Sequence, residues 1–319
     1  METTTEDLLA RRDKLLGPAY RLFYDKPVHL VRGEGVWLYD AAGRKYLDMY
    51  NNVPHVGHCH PRVVDAVCRQ AGILNTHTRY LHENILECAE RLTGKLPPEL
   101  DTAMFCCTGS EANELALRIA RSATGRKGII VADYAYHGNT QAIYEITTSD
   151  IPAEDIPGYV VTVPAPDTYR GHYRGDDAAA KYAGHVHDAI ALLQSRGFEP
   201  AAFVIDTIIS SCGVVEPPPG YLAEVAAIVR EAGALFIPDE VQPGFGRTGR
   251  NYWGFEADGL VPDIVTMGKP MGNGHPVSGV VVRRELVEDF GQNGDYFNTF
   301  GGNPVSCAAA LAVLDVIEE

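Results

Sequence analysis

The sequence has no apolar run approaching the ~20 residues that cross a bilayer as a helix, and it has no internal repeat or low-complexity tract. It is short of base: 27 lysines and arginines face 42 acids, a formal net charge of −15. Such a surface repels phosphate backbones and anionic lipid, so neither nucleic acid nor a membrane is an expected partner. A local basic pocket for one small anion is compatible with that balance. Cysteine is sparse, and its spacing excludes a disulfide framework. The seven residues Cys59, Cys68, Cys88, Cys106, Cys107, Cys212 and Cys307 are odd in number and scattered, which suits a reducing compartment. Met1 to Arg12 is polar and acidic and lacks the basic start and apolar stretch of a secretion signal. A cytoplasmic location is expected.

What is present is ordinary in bulk. The 319 residues are 45% hydrophobic and 22% charged, enough for a substantial core. Val36–Tyr39 and Lys45–Met49 flank a polar turn and predict a hairpin. Pro61–Leu74 and Leu81–Leu96 predict helices, the second from the spacing of Ile85, Cys88, Ala89 and Leu92. From Thr102 short apolar strands alternate with helices: strands at Ala103–Cys107, Gly128–Ala132, Tyr159–Val163, Ala201–Ile205, Ala234–Pro238, Asp263–Met267 and Ser278–Val282, helices at Glu111–Ser122, between Asp177 and Arg196, and at Tyr221–Ala232. That alternation predicts an α/β fold with a mainly parallel sheet and helices on both faces. Thr147–Asp177, rich in Pro, Gly and Asp, reads as a long surface excursion. A last helix begins near Pro304.

Five stretches carry chemistry, and in such a sheet ligands sit at the carboxyl ends of strands. In Cys107-Thr108-Gly109-Ser110-Glu111-Ala112-Asn113-Glu114 a strand meets a helix N-terminus, which attracts an anion. An ordinary helix cap, Ser110 with Asn113 and Glu114, explains that stretch equally well. Tyr136-His137-Gly138 follows a strand, and its aromatic ring can stack on a flat heterocycle or simply pack in a turn. Asp239 closes an apolar strand, where a carboxylate is costly without a cationic partner. A protonated pyridine nitrogen is one such partner; capping the next turn is the plainer role. Gln242 lies just beyond. Lys269 follows the next strand among glycines and prolines, the placement a Schiff-base lysine needs, although most lysines sit on exposed loops. Thr299, ahead of Gly301 and Gly302, can offer a hydroxyl to a phosphate or belong to a glycine-rich turn.

The order of these stretches is specific. With GSEAN, YHG, DEVQPGFGRTG (Asp239–Gly249), GKPMGNGHP and TFGGNP, the chain resembles class III aminotransferases from about Lys26 to Glu319. The resemblance implies a fold-type-I enzyme of pyridoxal 5′-phosphate (PLP), usually a homodimer or larger, acting on small amine and keto-acid substrates. It implies that Gly109 and Ser110 hold the cofactor phosphate, Tyr136 stacks on the ring and Asp239 pairs with the pyridine nitrogen. Gln242 would lie near the ring oxygen, Lys269 would be the covalent cofactor lysine and catalytic base, and Thr299 would reach the neighbouring subunit's cofactor.

The segment Leu74–His82 and GKPMGNGHP are similar to the alanine–glyoxylate aminotransferase 2-like branch, which includes phospho-lyases of phosphoethanolamine. Aminotransfer is the expected chemistry, phospho-lyase chemistry the alternative, and an inactive PLP-fold module a third reading. Arg79 is the candidate donor to a phosphate leaving group. Two departures stand out: Asp206 and Ser211 occupy what look like the positions of two glutamates in many relatives, and Ser211 cannot hold a substrate-binding arginine. Relatives also continue beyond Glu319. The expected division is therefore an N-terminal segment with a hairpin (1–60), a large cofactor-binding domain (61–319) and no C-terminal small domain in this chain. His55, His58, Cys59 and His60 are crowded and lack a second cluster, so no metal is expected. The resemblance puts them on the substrate side of the site.

Overall fold

Helix α1 (Thr5–Leu16) leads into a small antiparallel sheet of β1 (Leu30–Glu34), β2 (Trp37–Asp40) and β3 (Lys45–Leu47). Asp40 builds the turn between β2 and β3. Its carboxylate accepts the amides of Ala42 at 3.0 Å and Arg44 at 2.8 Å and the Tyr46 hydroxyl at 2.8 Å. Helices α2 (Pro61–Ala71) and α3 (Glu83–Thr93) follow. Then come β4 (Thr102–Cys106), α4 (Gly109–Thr124), β5 (Gly128–Ala132), the short α5 (Gln141–Tyr144), β6 (Val160–Val163), α6 (Ala178–Ser195), β7 (Pro200–Asp206), α7 (Tyr221–Glu231), β8 (Leu235–Asp239), β9 (Ile264–Met267), β10 (Ser278–Val282), α8 (Arg284–Gln292) and α9 (Pro304–Glu318). The structure is a computed structural model that describes residues 4–292, 294 and 296–319.

The main sheet has seven strands in the order β4-β10-β9-β8-β7-β5-β6. Four neighbouring pairs, from β9 through β8, β7 and β5 to β6, are parallel. Strand β10 is antiparallel to both β4 and β9, so β4 points the same way as the parallel set. The carboxyl ends of β4, β5, β7, β8 and β9 therefore share one edge. Strands β5, β7 and β10 are buried at every residue, which is why they read as continuous apolar runs.

Tyr182, Val186, Leu193, Tyr221 and Val225 of α6 and α7 cover one face, against Phe203 and Phe236. Those two rings sit in register on β7 and β8 and stack at 6.0 Å, worth about 0.5–1.5 kcal/mol beyond their burial. Helix α4 covers the other face. Ala112, Leu115, Ala116, Ile119 and Ala120 recur at helical spacing and pack with Ile129, Val204 and Val280. The fold is the expected α/β arrangement with helices on both faces.

Three expectations need correction. Helix α4 is capped by Thr108, not Ser110: Thr108 Oγ1 accepts the Glu111 amide, and Glu111 reaches back to the Thr108 amide. Helix α2 ends at Ala71 rather than Leu74, where Gly72 lacks a Cβ to favour further helix. The stretch 147–177 is only partly surface. Thr147 is fully buried and donates to the carbonyls of Gly138 and Ile143 at 2.9 Å; the strand expected at Tyr159–Val163 is present as β6, an edge strand of the sheet.

Candidate active site

Because Thr108 caps α4, the Ser110 hydroxyl is free for another task. Its oxygen accepts the Asn139 amide at 3.1 Å. Gly138, at φ 137°, passes so close that a Cβ there would lie 2.8 Å from Ser110 Cα. A Cβ on Gly109 would meet Val241 at the same distance. Two glycines thus bring the loop after β5 and the loop after β8 against the first turn of α4, whose amides have no partner in their own helix. This is a ready anion cradle.

Asp239 sits at the end of β8, almost fully buried. One oxygen accepts His137 Nδ1 at 2.7 Å and Asn113 Nδ2 at 2.9 Å; the other accepts the Val241 amide at 3.1 Å. Burial alone would push this carboxyl up. The His137 imidazole and the Asn113 amide outweigh it and hold the group below the usual carboxylate range. Asn113 also donates to the His137 carbonyl at 2.8 Å. Among the described residues, the buried atoms His137 Nε2 and Asn113 Oδ1 have no hydrogen-bond partner. Sequence reasoning singled out Asp239 but missed His137 and Asn113, although both stand in the YHG and GSEAN motifs.

Lys269 lies half-buried in the turn after β9, and Gln242 half-buried in the turn after β8. Tyr136 keeps 44% of its surface exposed. These groups line one cleft of about 370 Å³ with Gly109, Ser110, Gly138, Asp239, Asp206, Ser210 and Ser211. Six of the seven expected site residues therefore converge. Thr299 does not line the cleft; it lies on an exposed loop between the exposed rings of Phe297 and Phe300.

The departures fall inside the site. Asp206 ends β7 in register with Asp239, and Ser211 donates to the Tyr134 carbonyl at 2.9 Å. Arg247, also missed, ties two loops: its Nε donates to the Gln242 carbonyl at 2.7 Å and its Nη2 to the Asn52 carbonyl at 2.6 Å. Two of the three histidines after Asn52 have separate partners. His55 bonds the Phe245 carbonyl and His58 bonds Asp48, each at 2.7 Å. Arg79 lies over the Phe297 ring at 4.1 Å and does not line the cleft.

The class III aminotransferase family model matches residues 23–319, and the chain belongs to that family. Over 97% of its length the chain is 45% identical to "Alanine--glyoxylate aminotransferase 2-like" of Drosophila melanogaster, and it spans 64% of that relative. Among solved structures it superposes with TM-score 0.93 and 48% identity on a phospholyase from Arthrobacter in complex with phosphoethanolamine, covering 98% of this chain and 74% of that one. A taurine:2-oxoglutarate aminotransferase from Bifidobacterium kashiwanohense, in complex with PLP and glutamate, gives TM-score 0.87 at 26% identity, covering 99% and 73%. These likenesses are to PLP fold-type-I enzymes, the fold class read from the sequence.

Proposed function

We propose that the chain is the cofactor-binding part of a PLP-dependent aminotransferase that moves an amino group between an amine or amino acid and a keto acid. The observation that carries this reading is one cleft with an anion cradle at Gly109–Ser110, a buried carboxylate at Asp239 and an amine at Lys269. That donor set fits PLP: a phosphate, a basic ring nitrogen and an aldehyde. When bound, PLP supplies a sink for the electrons left on the amine-bearing carbon.

In this reading Ser110 and the α4 amides hold the phosphate. Asp239, kept ionised by His137, holds a proton on the ring nitrogen. Tyr136 covers the ring face and Gln242 lies by its oxygen. Lys269 Nζ holds the cofactor covalently. As a free amine, Nζ would take the proton from the substrate's amine-bearing carbon. Thr299 serves the cofactor of a second copy, which makes the active unit a homodimer or larger. Residues 1–60 form an N-terminal segment and 61–319 the large domain. The seven cysteines are all unpaired, which supports a cytoplasmic location.

A phospho-lyase is the second reading, supported by the likeness to the Arthrobacter phospholyase in complex with phosphoethanolamine. It needs strong donors to a dianionic leaving group, and Arg79 stands away from the cleft, so aminotransfer ranks first. The experiment has two stages. Borohydride reduction of the PLP-loaded protein, followed by peptide mapping, should place the label on Lys269; a label on another lysine would refute the assignment. Alanine should then convert the cofactor to its pyridoxamine form, reversed by a keto acid. Stoichiometric phosphate and ammonia release from phosphoethanolamine, without any keto acid, would replace aminotransfer with the second reading.

A further inference from the structure

Asp206 is a second buried carboxyl beside Asp239, and the proposed function leaves it without a task. It is 8% exposed and lines the cleft with Ser210 and Ser211. Among the described residues no cation pairs with it. It is held by donors alone: the amides of Ile208 at 3.0 Å and Ser210 at 2.9 Å, and the Ser210 hydroxyl in a short hydrogen bond. The turn that brings Ser210 back onto Asp206 puts Ile209 at φ 45°, a conformation costly for a β-branched residue. The neighbouring titratable groups are Asp239 and Glu240 after β8, Lys269 after β9, Tyr136 and His137 after β5, and Cys212 in its own turn.

The geometry points to Asp206 as a specificity-determining positioning residue that acts through Ser210, setting whether the Ser210 face of the cleft accepts or donates a hydrogen bond to the substrate's distal arm. The inference rests on the proposed function. While Asp206 is ionised, the Ser210 hydroxyl is committed to it, and only an oxygen lone pair faces the cleft. Once Asp206 is protonated, its own O–H can donate to Ser210 Oγ. The Ser210 proton is then released toward the cleft as a donor for an oxyanion, the carboxylate or phosphate end of a substrate. Burial, with the Asp239 charge adding to it, pushes the Asp206 carboxyl above its ordinary range. The arrangement separates two adjacent carboxyls: one is stabilised as an anion, the other is able to carry a proton.

The test uses PLP-loaded protein, in which the cofactor phosphate keeps probes off Ser110. Propionate represents a carboxylate arm, and methanesulfonate, ionised throughout, represents the tetrahedral end of a phosphate ester. Their binding is measured by calorimetry from mildly acid to alkaline pH. In the unmodified protein, affinity for the better-bound probe should fall about tenfold or more as pH rises, the loss of a hydrogen bond to a charged group. The probe showing the step identifies the arm. Asp206→Asn, which cannot ionise, should bind with no pH step. Ser210→Ala should bind weakly at every pH.

Burial pushes Glu240 up to about 8, within the pH range of the measurement, and Glu240 remains intact in both variants. A step that persists in Asp206→Asn, or a flat profile in the unmodified protein, overturns the inference. Borohydride labelling of Lys269 is scored first. Without a label the proposed function fails and this inference with it; a label without the step counts against the inference alone.

Discussion

Asp239 and Thr299 belong to one set of motifs, yet the molecule treats them in opposite ways. Asp239 is buried, takes hydrogen bonds from His137, Asn113, Val241 and Thr266, and stands beside His137 and Asn113, which are buried as well. Thr299 is exposed, on a loop between Phe297 and Phe300, the latter 67% exposed. Near that loop Tyr80 and Leu81 also face outward, Leu81 at 99%. The floor of the cleft is finished within one chain, because a carboxylate out of water needs its partners already in place. The flank leaves large apolar groups such as Leu81 and Phe300 mostly exposed, which suits the proposed second copy. The contrast teaches that the floor's properties should survive dilution to a monomer, and the flank's should not.

The largest effect should come from the floor. Lys269→Ala removes the covalent anchor and the base together. It should abolish the borohydride label and reduce turnover by on the order of 10³-fold or more, general-base catalysis alone accounting for 10²–10⁴. Asp239→Asn should come next. It should keep some cofactor but lose most turnover, roughly 10²-fold or more, because the ring nitrogen loses its anion and His137 a carboxylate hydrogen-bond partner. Near-normal turnover in that variant would show that Asp239 only braces His137. The flank should respond more mildly. Thr299→Ala should weaken cofactor binding about five- to tenfold, one hydrogen bond to a charged group, without changing the dimer measured by sedimentation. A monomer that is fully loaded with PLP would refute the role of Thr299 at a second copy's cofactor.

Legibility from sequence follows the same division. Strands β5 and β10 match their expected bounds residue for residue, because both are buried at every residue and carry β-branched apolar runs. Helices α1 and α8 and strand β1 were not expected. Helix α1 buries no residue and β1 is almost wholly exposed, so neither carries the periodicity that burial imposes. The hairpin of β2 and β3 was legible through its polar turn, but the third strand beside it was not. In the site, Asp239 stood out as an acid ending an apolar strand, and the inferred partner was a ligand. The structure adds an internal partner, His137, that contacts it across the sheet edge and cannot be seen from spacing. Thr108 and Ser110 are both competent caps, and only the backbone shows which one is used.

A smaller effect separates burial from chemistry in the floor. Glu240 is fully buried and accepts the amides of Gly254 at 2.8 Å and Phe255 at 3.0 Å and the Thr207 hydroxyl at 3.0 Å. Burial outweighs these donors and pushes its carboxyl up to about 8. A carboxyl raised in the folded state holds its proton there while the unfolded chain releases it. Stability should therefore decline as pH rises from the ordinary carboxylate range toward about 8, and level off above. Urea unfolding of the unmodified protein and Glu240→Gln across that window checks the sign. A variant with the same slope would assign the decline to another group.

The smallest expected effect joins the two regions. Glu111 fixes the start of α4 by accepting the Cys107 and Thr108 amides, each at 2.9 Å, with one oxygen. Its other oxygen accepts Asn298 Nδ2 at 3.2 Å. Asn298 in turn accepts the amides of Phe300 at 3.1 Å and Gly301 at 2.9 Å, which shapes the Thr299 loop. The cap of the floor's anion cradle is thus also a foundation of the flank. Thr108→Ala removes only the hydroxyl that accepts the Glu111 amide and leaves Glu111 bonded to both sides. It should cost about 1 kcal/mol of stability, as other lost caps do, and leave cofactor affinity within about twofold, well under the change that one lost hydrogen bond brings. Ser110→Ala should do the reverse, lowering PLP affinity about five- to tenfold with little change in melting temperature, because Ser110 does not cap the helix. Equal losses of affinity in both variants would mean that capping and anion binding are one function, and that floor and flank are not separable at this joint.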